Sequence, residues 1–194
     1  ATIAPLPNGQ TLPAWIEPDA AGGTLVATTS VPKSEPVIVA SSVSAGCQPA
    51  LGVFPDGSAL VAYRALTAEG VRDIATARFH DGGWDPSVPL NSDGWKSTAS
   101  PNDGPSMAVR GTHVVAAWFT ATPDPRINVS SSDNAGAQWL IANRVDDIAP
   151  LGHPDLVIFD DGSQLVSWVE RSKTDGPVVL IRRISARGNL SEPI

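Results

Sequence analysis

At 194 residues, 42% of them hydrophobic and 17% charged, the chain is long enough to bury a core, and its 17 glycines and 18 prolines stay below the range of low-complexity disorder. A net charge of −7 leaves no broad basic face, so nucleic acid is not an expected partner. One cysteine, Cys47, excludes an internal disulfide or multi-cysteine zinc site, no apolar run approaches the ~18 residues of a membrane span, and neither cofactor nor metal is expected.

A unit of about 50 residues occurs four times in the chain. Each copy carries a proline, a short apolar strand, a glycine turn and a second strand ending on an aromatic. In the first copy, approximately 1–45, strands A to D are expected at Thr2–Pro7, Gln10–Trp15, Thr24–Thr28 and Pro36–Ala40. In the second, 46–100, they are Ala50–Phe54, Ala59–Tyr63, Asp73–Phe79 and Trp84–Pro89. The third, 101–150, gives Ser106–Arg110, His113–Phe119, Arg126–Ser130 and Trp139–Val145. The fourth, 151–194, gives Asp155–Phe159, Gln164–Val169, Val178–Ile184 and Leu190–Ile194. Asn8-Gly9, Asp56-Gly57 and Asp161-Gly162 mark hairpin turns. Pro36, Pro86 and Pro193 suit outermost edge strands, where a missing N–H costs no ladder bond. The pattern predicts an all-β fold, a β-propeller with one four-stranded antiparallel blade per repeat in a single domain 1–194; a β-sandwich is the competing arrangement. Four blades are visible; a compact four-blade ring, a portion of a larger ring and ordered pieces of a longer chain are the open explanations, the second favoured. The chain opens on Ala1 without a methionine, as a mature or trimmed product does.

The link Ser130-Ser131-Ser132-Asp133-Asn134-Ala135-Gly136-Ala137-Gln138-Trp139 resembles the Asp-box (BNR) motif of sialidase-like propellers in its longer form, with Ser131, Asp133, Gly136 and Trp139 as its structural residues. There the Asp side chain accepts backbone N–H groups across a turn, glycine takes a positive φ, and the Trp packs between sheets. His80-Asp81-Gly82-Gly83-Trp84 is similar to a degenerate copy. With Asp93-Gly94-Trp95, Asn102-Asp103-Gly104-Pro105 and Ala117-Trp118-Phe119, the stretch from about 46 to 171 is similar to a group of bacterial, often exported sialidase-like proteins. That group clusters cysteines in two places; here Cys47 alone stands in the first, and Ser100-Pro101-Asn102-Asp103 in the second. The resemblance implies a six-bladed ring, an extracytoplasmic setting, periplasmic or secreted, and a glycan-related role.

Propeller topology puts the D-to-A and B-to-C connections on one face, which holds the ligand in sialidase-like folds. Candidates on that face are Arg64, Arg72, Asp73, Asn102, Asp103, Arg126, His153, Glu170 and Arg171. Arg64, Arg126 and Arg171 come from three blades, and sialidases clamp a carboxylate with such a trio because a guanidinium fork matches it. The competing reading pairs these arginines with Glu69, Asp124 and Glu170 at blade rims. Asp103, Asp146 and Asp147 are loop carboxylates suited to glycosidase acid–base work. No catalytic residue is assigned. The only tyrosine, Tyr63, occupies the packing position filled elsewhere by Trp15, Trp118 and Trp168, and the sialidase Arg-Ile-Pro signature is replaced by Ile3-Ala4-Pro5.

The leading expectation is therefore a recognition module binding glycan or protein, non-catalytic as it stands. A glycoside hydrolase with catalytic residues partly outside these residues is the alternative, and a structural subunit of a larger assembly the third.

Overall fold

The computed structural model describes every residue except 21, 29–34, 98–102, 173 and 175. Among the described residues it holds no helix, and therefore none long and apolar enough to cross a membrane. The strands fall into four antiparallel sheets that follow the sequence repeat, the arrangement of a β-propeller.

The first sheet is β1 (Thr2–Pro5), β2 (Thr11–Asp19), β3 (Gly22–Ala27) and β4 (Val37–Ser41). The second is β5 (Ala50–Val53), β6 (Ala59–Arg64) and β7 (Ile74–His80), with an outer strand in two pieces, β8 (Gly83–Trp84) and β9 (Val88–Pro89). The third is β10 (Ser106–Arg110), β11 (His113–Thr120), β12 (Arg126–Ser132) and β13 (Asn143–Arg144). In the fourth, β14 (Pro150–Ile158), β15 (Gln164–Arg171) and β16 (Pro177–Ile184) are joined at their edge by Ile194, whose N–H and C=O both bond Ile181.

The outer strands are shorter and more broken than the repeat predicts. Pro86 and Pro193 explain two interruptions, since proline gives no ladder bond. The fourth inner strand instead begins five residues early, at Pro150 rather than Asp155, and carries register shifts between Pro150 and Asp155. The Asp-Gly turns form as expected: Asp56 accepts from Ser58 N–H at 2.9 Å, and Asp161 from Ser163 N–H at 2.9 Å.

The core lies between sheets. Ala14, Leu25 and Ala27 of the first sheet meet Val61, Tyr63 and Ala75 of the second. Ala62 and Ile74 meet Trp118 across the next interface, and Val115, Ala117 and Ile127 meet Trp168 and Val166 across the third. The strand-B aromatic therefore packs onto the preceding sheet at every described interface. Inner strands pack in sequence, β1 on β5, β5 on β10, β10 on β14; no comparable packing joins β14 back to β1.

Candidate functional site

Where the four inner strands begin, a cavity of about 500 Å³ opens on the D-to-A face, lined among others by Thr2, Gln48, Asp103, Ser106, His153 and Asp155. It draws on all four sheets and so marks the propeller axis. No described lining residue is a lysine or arginine.

Asp103 is the centre of this site. Its side chain is 11% exposed, and its Oδ1 lies 2.9 Å from His153 Nδ1 and accepts the His153 N–H at 3.2 Å. The ring thus meets the carboxylate through Nδ1. His153 itself sits at φ 56°, a left-handed conformation that is costly for a residue other than glycine. β14 carries a register shift between Gly152 and Asp155, and His153, on the shifted stretch, meets Asp103; bulges are common near sites. Close approach is secured by two glycines. A Cβ on Gly152 (φ 112°) would fall 2.1 Å from Asp103 Oδ2, and one on Gly104 would fall 1.8 Å from the Gln48 carbonyl oxygen. Asp155 is exposed at the rim and accepts from Ser106 Oγ at 2.8 Å; Gln48 Nε2 donates to the Ala1 carbonyl at 2.8 Å.

Behind Asp103 lies Arg64, fully buried. Its Nε donates to the Asp103 carbonyl at 3.0 Å, Nη1 to the Arg72 carbonyl at 2.7 Å and Nη2 to the Phe119 carbonyl at 2.8 Å. The guanidinium also lies over the Trp95 ring, 4.8 Å from its centroid. Burial lowers the Arg64 pKa from its ordinary value, and burial pushes the adjacent Cys47 thiol up, with Arg64 opposing. Arg64 is thus a bolt between the second and third blades rather than a ligand clamp.

The expected convergence of arginines does not occur. Arg126 is ion-paired with Asp124, which also takes Arg144 Nη1 at 2.9 Å, and Arg171 is exposed at the end of β15. Arg72 donates to Ser97 O at 3.1 Å and Ser44 Oγ at 2.7 Å, and Asp73 accepts from Gly94 and Trp95 N–H, so both hold loops. Glu170 is buried and accepts from Trp168 Nε1 at 2.8 Å. Asn102 lies outside the described residues. Of the three loop carboxylates, Asp146 is buried on Arg144 and the Ile127 N–H, Asp147 pairs with Arg182, and Asp103 alone lines the cavity.

The turn of the third blade also differs from the expected one. Ser132 Oγ accepts the Gly136 N–H at 3.0 Å, and Asn134 Oδ1 accepts the Gln138 N–H at 2.9 Å. Asp133 is turned away, 2.6 Å from His113 Nδ1, while Ser131 contributes its carbonyl to Leu140. A shift of one residue exchanges the faces of a strand, so Ser132 and Asn134 hold the positions assigned to Ser131 and Asp133. Gly136 (φ 82°) and Trp139 do keep their places: Trp139 packs against clusters from the second and third blades.

No protein-family model and no curated protein matches the sequence. Solved structures do match in fold. The alpha-L-arabinanase of Penicillium chrysogenum, complexed with arabinobiose, superposes at a TM-score of 0.61 and 14% identity, over 97% of this chain and 64% of that one. The alpha-L-arabinofuranosidase of Podospora anserina in complex with cellotriose gives 0.54 at 13%, over 95% and 63%. The catalytic domain of a Coprinopsis cinerea alpha-L-arabinofuranosidase gives 0.57 at 11%, over 95% and 64%. The chain thus spans just under two thirds of each of these structures.

Proposed function

We propose that this propeller binds a neutral glycan in its axial cavity, with Asp103, His153 and Asp155 as the groups that meet the sugar hydroxyls. The carrying observation is the Asp103–His153 pair, a nearly buried carboxylate meeting an exposed imidazole, set by a left-handed backbone at His153 and two glycines where all four sheets meet. Strain of this kind persists where function needs it. A cavity with two carboxylates and no described lysine or arginine disfavours an anionic sugar, so the reading departs from sialic acid. Carboxylates accept hydrogen bonds from neutral hydroxyls strongly, as charge-assisted acceptors. The fold shared with an arabinanase holding arabinobiose supports a glycan of that neutral kind. The Ser132–Trp139 turn supports a distant kinship with sialidase-like propellers, and an extracytoplasmic setting belongs to the same reading. A second reading, glycoside hydrolysis, is favoured by Asp155 standing in the same cavity as Asp103, since such chemistry uses paired carboxylates.

Calorimetric titration with linear arabino- and xylo-oligosaccharides tests the binding. Saturable binding weakened about tenfold or more in Asp103→Asn, with the circular dichroism spectrum retained, is expected from the loss of a charged hydrogen bond. Unchanged affinity in both Asp103→Asn and Asp155→Asn overturns the site. Release of reducing ends by the parent chain, abolished in either variant, would establish the second reading.

A further inference from the structure

The two terminal blades each cover one face and leave the other bare, and the bare faces have the composition of blade interfaces. In the fourth blade Trp168, 1% exposed, donates Nε1 to Glu170 at 2.8 Å. That pair is covered by Val115, Ala117, Ile127 and Val129 of the third blade. In the first blade Trp15 makes the same bond to Glu17, at 2.9 Å, with the same spacing at the same strand position. Here the ring is half-buried and the carboxylate exposed, since no sheet among the described residues lies in front of them.

Strand register extends this bare face. Trp15, Val26 and Ile38 pair in one row across β2, β3 and β4, past an irregularity at Leu25–Val26; Val26 is buried within the row and Ile38 at its edge is 70% exposed. Ile3, 65% exposed, stands beside Pro13 on the same side. Across the opening, the fourth blade presents Leu165 beside Val157 and Val169 beside Val179, the last 68% exposed. Counting from the strand-B tryptophan, Leu165, Ser167 and Val169 occupy the positions of Val115, Ala117 and Phe119, which in the third blade face their neighbour.

We propose that one further four-stranded sheet of the same repeat, carried by the natural polypeptide outside residues 1–194, occupies the opening between the first and fourth blades and closes the ring. The chemistry of both its faces follows from its neighbours. Towards Trp15 it presents small aliphatic residues, as the third blade does to Trp168. Towards Leu165, Ser167 and Val169 it presents an aromatic on its second strand. The two bare faces are unlike each other, one bearing the aromatic and the other aliphatic, so they suit a sheet inserted between them better than a self-complementary dimer contact. The solved propellers of the same fold, of which this chain spans just under two thirds, are long enough to hold such a sheet. Its first strand would also wall the axial cavity between Thr2 and Asp155.

The test is the intact denatured mass of the natural gene product, combined with hydroxyl-radical footprinting of its tryptophans beside those of the 194-residue chain. The expected result is a mass above 20.1 kDa by at least one repeat, with Trp15 oxidised no faster than Trp168 in the natural product. In the 194-residue chain Trp15 should oxidise about tenfold faster than Trp168, following its exposure. A natural product of 20.1 kDa overturns the proposal. So does a heavier one in which Trp15 stays as reactive as in the short chain. Protection of Trp15 in a 20.1 kDa chain that doubles its mass by light scattering would identify a second copy as the occupant, which also overturns it.

Discussion

The second and third blades differ from the first and fourth in how their second strands are buried, although all four derive from one repeat. In β6 every residue from Ala59 to Arg64 is buried, and in β11 the run Val114–Trp118 is buried without a break. In β15 burial alternates residue by residue, and β2 is buried only at Leu12 and Ala14. The side chains hardly differ in kind; their neighbours do. A strand with sheets on both sides loses its alternation, whereas a strand covered on one side keeps it. Burial here is a property of position in the ring, and the sequence of a single blade does not carry it.

Tryptophan truncation breaks or sharpens this contrast most. Trp118→Ala should cost about 3–5 kcal/mol in urea unfolding, whereas Trp15→Ala should cost roughly 1 kcal/mol, because its ring is already half in water. Equal costs in the 194-residue chain would erase the distinction. A smaller effect follows from the arginines. Arg64→Met strands three backbone carbonyls at the interface of the interior blades and should cost about 3 kcal/mol, while Arg126→Met, at an exposed rim pair, should fall within about 0.5 kcal/mol.

The smallest effect is pH dependence. Hydrogen bonds from Arg182, Ser58 and Ser163 hold Asp147, Asp56 and Asp161 below the ordinary 3.8. Depressed carboxylates stabilise the fold above their unfolded pKa and lose that contribution as pH falls through the folded value. The urea midpoint should therefore drop as pH is lowered past 3.8, and Asp147→Asn, at the join of the third and fourth blades, should shrink the drop. His80 has the opposite sign. Asp81 and Asp85 raise its pKa above 6.5, so its contribution is present below 6.5 and lost as pH rises through the folded value.

Much of the fold was legible because its signals are local. Asp-Gly turns, edge prolines and the strand-B aromatics each act within a few residues, and they placed the inner three strands of most blades closely. What the repeat could not convey was orientation. The repeat offers Arg64 as a ligand-face candidate just past a strand end, yet alternation from Tyr63 places it on the opposite face of β6, between sheets. That alternation is written in the sequence, but two of the backbone carbonyls that accept from the Arg64 guanidinium, those of Asp103 and Phe119, belong to the next repeat, which a single repeat does not show. The repeat makes Asp155 an ordinary strand start, because the irregularity that lengthens β14 lies where Gly152 and His153 meet Asp103, fifty residues away in sequence. Asp103 and His153 both stand among the candidates of the D-to-A face, but nothing in the sequence pairs them, because fifty residues separate them. The turn at Ser132 slipped by one residue because Ser131-Ser132 and Asp133-Asn134 offer two registers of equal chemistry, and only the backbone chooses between them.

Gly104 and Gly152 add a consequence for how this protein can change over generations. Neither has a side chain to offer a ligand, yet each is placed so tightly that a single methyl group would collide with the Gln48 carbonyl or the Asp103 carboxylate. In a saturation-mutagenesis screen for altered ligand preference these two positions should score as intolerant as any residue that touches the ligand. New preferences would have to arise at Thr2, Gln48 or Asp155, where the rim has room to vary.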